Sequence, residues 1–143
     1  TVGIPQSGRF TAWWEHDEKN NKVSIHAHQS QDERRKQIIT DVDVLRTAGP
    51  FALCRIGLIT GRTHQIRAHL ASVGHPLIGD HKYGASQINR EYEQKYHLQS
   101  QLLHAARLQF PVCTQTLYSV SKKEFTAPLP KQFYRIAAEK GVL

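Results

Sequence analysis

Four basic side chains and one amide crowd a short run of this 143-residue chain: Arg62, His64, Gln65, Arg67 and His69, all within Gly61–Leu70. Groups of this kind at the start of a helix suit an anion, because the first-turn amides lack intrahelical acceptors and the helix dipole places partial positive charge there. The same crowding also suits a solvated first turn, and arginine prefers the last turn of a helix. Spacing alone leaves both readings open.

The surrounding residues predict how these groups are positioned. Leu58 and Ile59 close an apolar run, Gly61 permits a sharp turn, and Thr63 is placed to cap a helix. Ile66, Leu70 and Val73 then recur at helical spacing and form one apolar stripe, while His64, Arg67 and Ala71 lie along another face. Gly74 ends the helix and Pro76 prevents its resumption. The expectation is strand, turn, helix and a shaped loop running through Asp80 to Gly84.

The run Gly61-Arg62-Thr63-His64-Gln65-Ile66-Arg67-Ala68-His69-Leu70, followed by Gly74-His75-Pro76-Leu77-Ile78-Gly79-Asp80 and Lys82-Tyr83-Gly84, resembles the third motif of the RluA family of RNA pseudouridine synthases. Lys36 to Leu45 resembles a strand of that family, and Leu102 to Pro111 resembles its Leu-His-Ala segment, so the likeness covers roughly residues 36 to 133. Bacterial members acting on large-subunit ribosomal RNA are the nearest in character. The resemblance implies that Arg67 pairs with the catalytic Asp, with Arg62, Thr63, His64, Gln65, His69, His75, Asp80, Lys82 and Tyr83 around the substrate. It implies RNA as partner (rRNA first, tRNA as a second possibility), with no metal and no cofactor. The family's Arg-Leu-Asp and Lys-x-Tyr motifs do not occur in the sequence. Asp41, Asp43 and Asp80 lack the context of the nucleophile. The chain therefore reads as the C-terminal portion of a catalytic domain, an expectation with which the absence of any Met agrees.

Composition bounds the alternatives. One domain spanning residues 1–143 is expected from length, and 39% hydrophobic residues favours a folded core. Cys54 and Cys113 are too few for a disulfide framework and sit in apolar segments, which fits buried free thiols and a reducing cytoplasm. No apolar stretch approaches the ~20 residues of a membrane helix, so no membrane partner is expected. The net charge of +7 suits a polyanion, although charge alone speaks to association rather than identity. His64 and His69 are five residues apart, not on one face as helical metal ligands four apart would be, and neither cysteine opens a helix. A metalloenzyme and a Cys-His hydrolase are both disfavoured.

Along the chain, residues 9–15 and 22–28 predict a hairpin, in which Val23, Ile25 and Ala27 alternate with Ser24, His26 and His28. His26 and His28 share a solvent face, and Trp13 and Trp14 point to opposite faces, one to the core. Gln29 to Gln37, with Arg34-Arg35-Lys36, is a candidate phosphate-contacting loop or a plain solvated run. Ile38–Arg46 and Phe51–Ile59 predict two strands, the second central because both its faces are apolar. Ser86–Leu98 predicts a helix anchored by Ile88, Tyr92 and Tyr96, with Glu91 set to pair with Lys95. Gln101–Val112 reads as a buried strand, Thr116–Thr126 as a further strand, and Lys131–Lys140 as a closing helix. The expected fold is α+β, a mixed, mostly antiparallel sheet with peripheral helices. Two functions compete: part of an RNA-modifying enzyme, and a catalytically inactive nucleic-acid-binding module of the same fold. In either, Arg67 without its upstream carboxylate should be solvated in an open cleft or hold a substitute anion, and Arg67→Ala should cost little stability.

Overall fold

The structure is a computed structural model describing residues 1–31 and 33–143; Asp32, inside the polar Gln29–Gln37 stretch, lies outside the described residues. Four antiparallel strands form the main sheet: β1 (Gly8–Asp17), β2 (Lys22–His26), β3 (Lys36–Ala48) and β4 (Phe51–Leu58), in the order β2-β1-β3-β4. Period-two alternation sets their faces. Ile38, Thr40 and Val42 of β3 turn inward at every second residue, with Ala12 opposite Ile38 and Phe10 opposite Thr40 in register. Helix α1 (Gln65–Ser72) lies over this face and buries Gln65, Ala68, His69 and Leu70. Val42, Leu70 and Leu77 form one apolar cluster, supported by Phe10, Cys54, Ile56 and Ile66.

Helix α2 (Ser86–Tyr96) and helix α3 (Lys131–Glu139) enclose a second cluster of Ile78, Tyr92, Tyr96, Leu98 and Ile136. Tyr92 and Tyr96 are the core anchors that their spacing predicts. Lys95, however, reaches Glu139 at 3.7 Å rather than Glu91. A separate hairpin pairs β5 (Arg107–Gln109) with β6 (Glu124–Thr126). The α+β, mostly antiparallel architecture is thus the observed one.

Three expectations fail. Strand β4 is at the sheet edge, not its centre: Ala52, Cys54 and Ile56 of one face meet the core and Phe51 at its start packs on the second cluster, while Leu58 and Ile59 are exposed. Its Arg55 is accordingly outside, on Asp43. The stretch 101–112 is no buried strand, since only three exposed residues pair, and Leu108 and Val112 lie outside both clusters. Residues 115–120 form a 3₁₀ turn, which leaves three residues of the predicted 116–126 strand as β6. Apolar content signalled burial in each case, but burial also needs a facing layer.

Candidate active site

The centre of the Gly61–Gly84 region is a buried ion pair. Arg67 Nε and Nη2 donate to Asp80 Oδ2 and Oδ1, both at 2.8 Å, and the Lys82 and Tyr83 amides donate to Oδ1 at 2.9 and 3.0 Å. The Asp80 side chain is fully buried and that of Arg67 is 17% exposed. Burial alone would push the Asp80 carboxyl up, but the bonds from Arg67 and the two amides outweigh it and hold it below its ordinary range. The bond to Asp80 likewise raises Arg67. The Tyr83 ring lies beneath the guanidinium, 5.3 Å from ring centre to the guanidinium carbon.

Backbone geometry holds the acid in place. Asn89 of α2 accepts the Gly79 amide and donates to the Asp80 carbonyl, each at 2.8 Å. Gly79 has φ +79°, and a Cβ there would stand 2.4 Å from the Ser100 carbonyl oxygen. A Cβ on Gly84 would stand 2.2 Å from the Asp80 carbonyl oxygen. Neither site accepts a side chain without a shift in backbone.

The helix opens on a strained residue. His64, with φ 53° and ψ 18°, is the N-cap of α1, and no side chain caps that helix, so Thr63 does not serve as the predicted cap. His64 Nδ1 lies 3.0 Å from the Tyr83 hydroxyl, which also accepts the Val23 amide at 3.0 Å. The β1–β2 hairpin is pinned here twice more, by Trp14 Nε1 donating to the Thr63 carbonyl at 2.9 Å and by the Lys82 ammonium on the Asn21 carbonyl. Burial, then Arg67 and Lys82, lower the His64 pKa; Asp80 opposes them and His16 adds a little. These influences favour the neutral form of His64, a hydrogen-bonding ring beside two cations.

Residues 2–72 match the family described as RNA pseudouridylate synthase. The chain belongs to this family. It is 34% identical over 142 residues to an uncharacterised RNA pseudouridine synthase of Chlorobaculum parvum, covering 90% of this chain and 41% of that protein. It is 36% identical over 103 residues to the ribosomal large subunit pseudouridine synthase D of Zymomonas mobilis, covering 70% and 31%. Among solved structures, human RNA pseudouridylate synthase domain containing 1 superposes with a TM-score of 0.57 at 26% identity, covering 99% of this chain and 62% of that one. The chain spans between about a third and two fifths of the length of these two curated relatives.

Within this pseudouridine synthase family member, the predicted site residues divide. Arg67, Asp80, Tyr83, His64 and Lys82 converge on one cluster, and Arg62 stands exposed at the helix entrance. Gln65, His69 and His75 do not join it. Gln65 is 3% exposed and ties α1 to β3, donating to the Ile39 carbonyl and Thr40 hydroxyl while accepting from Thr60 and the Arg62 amide. His69 is equally buried, 3.0 Å from the Thr40 hydroxyl and edge-on to Phe10. A Cβ on Gly3 would stand 2.7 Å from His75 Nδ1, so that ring packs against the N-terminal segment. The motif does not act as one group: burial assigns Gln65 and His69 to the interior.

Other candidates also resolve. His26 Nε2 lies 3.0 Å from Glu15, which Arg35 also contacts, so the ring sits against an ion pair between the strands and the following loop. Trp13 and Trp14 are both only half-buried. Arg67 is no orphan, because Asp80 is the substitute carboxylate. Asn89 was missed, although a polar residue three positions before Tyr92 on the buried stripe is a legible signal. The Trp14 and Val23 contacts carry no signal, since an indole donor and a backbone amide leave no pattern in sequence.

Proposed function

We propose that this chain is the C-terminal portion of an RNA pseudouridine synthase, isomerising uridine in structured RNA, with large-subunit ribosomal RNA the favoured target. The observation that carries this reading is the free edge of Arg67. Asp80 occupies Nε and Nη2, and Nη1 has no hydrogen-bond partner among the described residues. A guanidinium held side-on in this way still offers donors to a second carboxylate. That is the place of the nucleophilic Asp, supplied from upstream of this chain. Asp80 thus serves as the holder of Arg67 rather than as the nucleophile.

In the family's reaction the nucleophilic carboxylate attacks the target uridine at the base or the sugar carbon. The glycosidic bond breaks, the uracil turns, and a carbon–carbon bond replaces it. The uridine must leave its stack to be reached, which favours loops and single strands. Arg62 and Lys82, within a chain of net charge +7, supply phosphate attraction around the cluster. The inactive-module reading shares this binding and lacks turnover.

Tritium release from RNA labelled at uridine C5 tests the proposal. The purified chain should release none, because positioning cannot replace a covalent nucleophile. The full-length protein should release tritium, and Arg67→Lys should suppress it while leaving much of the RNA affinity. RNA binding by the chain should weaken with salt, with a log–log slope of about −2 to −4. Release by the chain alone, lost on mutating Asp41, Asp43 or Asp80, would overturn the assignment. No release by the full-length protein would favour the module.

A further inference from the structure

The Tyr83 hydroxyl is bonded on two sides. The Val23 amide can only donate, so it takes one lone pair of Oη and leaves the single phenolic hydrogen free to be given to His64 Nδ1, 3.0 Å away. A ring that accepts at Nδ1 carries its own hydrogen on Nε2. That Nε2 has no hydrogen-bond partner among the described residues, and the His64 side chain is half-exposed at the entrance to α1. The groups around it are Arg67 on α1, Asp80, Lys82 and Tyr83 on the following loop, and His16 on β1. Three of these oppose a second proton on the ring. The left-handed backbone at His64 fixes the residue where the helix begins, and Tyr83 is itself fixed between Val23 and the Arg67 guanidinium.

We propose that Tyr83 is a positioning residue that holds His64 as the Nε2–H tautomer, and that this neutral N–H donates to a ring carbonyl of the target uracil beside Arg67. The recognition half rests on the reading of the chain as part of a pseudouridine synthase; the tautomer does not. A neutral donor suits a carbonyl, whereas the cations Arg62 and Lys82 suit phosphate. The loop after α1 thereby presents two groups at once, Arg67 through Asp80 and His64 through Tyr83.

Long-range proton–nitrogen NMR of the ¹⁵N-labelled chain at pH 7.5 reads the tautomer directly. His64 should be protonated at Nε2 alone, and Tyr83→Phe should move it toward a mixture of the two tautomers. A purely structural tyrosine would leave that signature unmoved. In the full-length protein, Tyr83→Phe should lower kcat about tenfold, one hydrogen bond's worth. His64→Gln, which keeps a neutral N–H donor, should retain more turnover than His64→Phe. An Nδ1–H or doubly protonated His64 overturns the proposal and leaves the enzyme reading standing. A shifted tautomer with unchanged turnover overturns the recognition half, and so does the absence of turnover from the full-length protein, which removes the enzyme reading with it.

Discussion

Two stretches of similar apparent promise behave oppositely. The loop Gly79–Tyr83 is short and polar, yet both Asp80 carboxylate oxygens are engaged and the loop is clamped by Asn89, α1 and the β1–β2 hairpin. The stretch 101–127 is longer and rich in Leu, Phe and Val, yet Leu108, Val112, Leu117, Tyr118 and Phe125 remain exposed. A three-residue pairing, the packing of Leu102 on the second cluster, the Phe110–Phe125 ring contact and a few backbone bonds such as the Leu102 amide to the Ile78 carbonyl tie it down. Local stability here follows how completely the groups are partnered, more than how apolar they are. A satisfied buried network is cooperative, so removing one member strands the rest.

The largest break in that comparison should come from Arg67→Ala. It leaves a fully buried carboxylate with only two backbone donors, and removing one partner of such a pair costs about 3 kcal/mol. This revises the sequence-based expectation of a small effect, which assumed an exposed guanidinium. Urea denaturation of the chain measures it. Arg9→Ala, which breaks the equally short but exposed pair with Asp41, should leave the midpoint in place. Equal midpoints for the two variants would show that the Asp80 network contributes no more than a surface pair.

Acid should act next, in two stages. Burial lowers the pKa of His69, and burial with Arg67 and Lys82 lowers that of His64, from the ordinary 6.5. The unfolded chain therefore takes up protons before the folded one, so stability present above pH 6.5 drains away as pH falls below it. Asp80 is held below its ordinary 3.8, so its contribution is present above that value and lost as pH falls through the folded one. Denaturation midpoints should fall gently from pH 7 to 5 and steeply below 4. His69→Gln should flatten the first stage; an unchanged first stage would place that decline elsewhere.

The sequence revealed the elements better than their surroundings. Gly74 shows why: its φ of +86° and the bonds from its amide to Ala71 and from His75 to Leu70 close α1 as glycine placement predicts. Such local rules need no tertiary context. Strand β4 shows the limit, because apolar residues on both faces specify what the strand could bury, not whether a neighbour arrives to bury it. The site divides in the same way. Motif membership located Arg67, Asp80 and Tyr83 together, but the assignment of Gln65 and His69 to the interior depends on Thr40, twenty-five and twenty-nine residues distant.

Tyr92 tests partnering with the opposite sign. It is 1% exposed, stacks near Tyr96 and Phe51, and its hydroxyl has no hydrogen-bond partner among the described residues. Burial, with Tyr96 and Glu91 nearby, pushes its pKa up. Tyr92→Phe keeps the ring and the nearby Lys140 ammonium, 5.0 Å from its centre, and removes only the unpaired oxygen. The variant should be as stable as the parent or more stable by up to about 1 kcal/mol. A loss of that size would reveal a partner for the hydroxyl.

The smallest effect should come from the other side of the comparison. Leu108 and Phe125 face each other in register across the β5–β6 hairpin, 57% and 48% exposed. Phe125 meets Phe110 edge-on with ring centres 6.0 Å apart, which is its principal side-chain tie. Because both residues already stand largely in water, Leu108→Ser and Phe125→Ser remove little apolar burial, and each should shift stability by no more than about 0.5 kcal/mol. The same two changes reduce an exposed apolar surface and should lower self-association at high concentration, which light scattering measures. A destabilisation above about 2 kcal/mol from either would mean that the hairpin is packed in solution, and the contrast with the Asp80 loop would then rest on charge rather than on partnering.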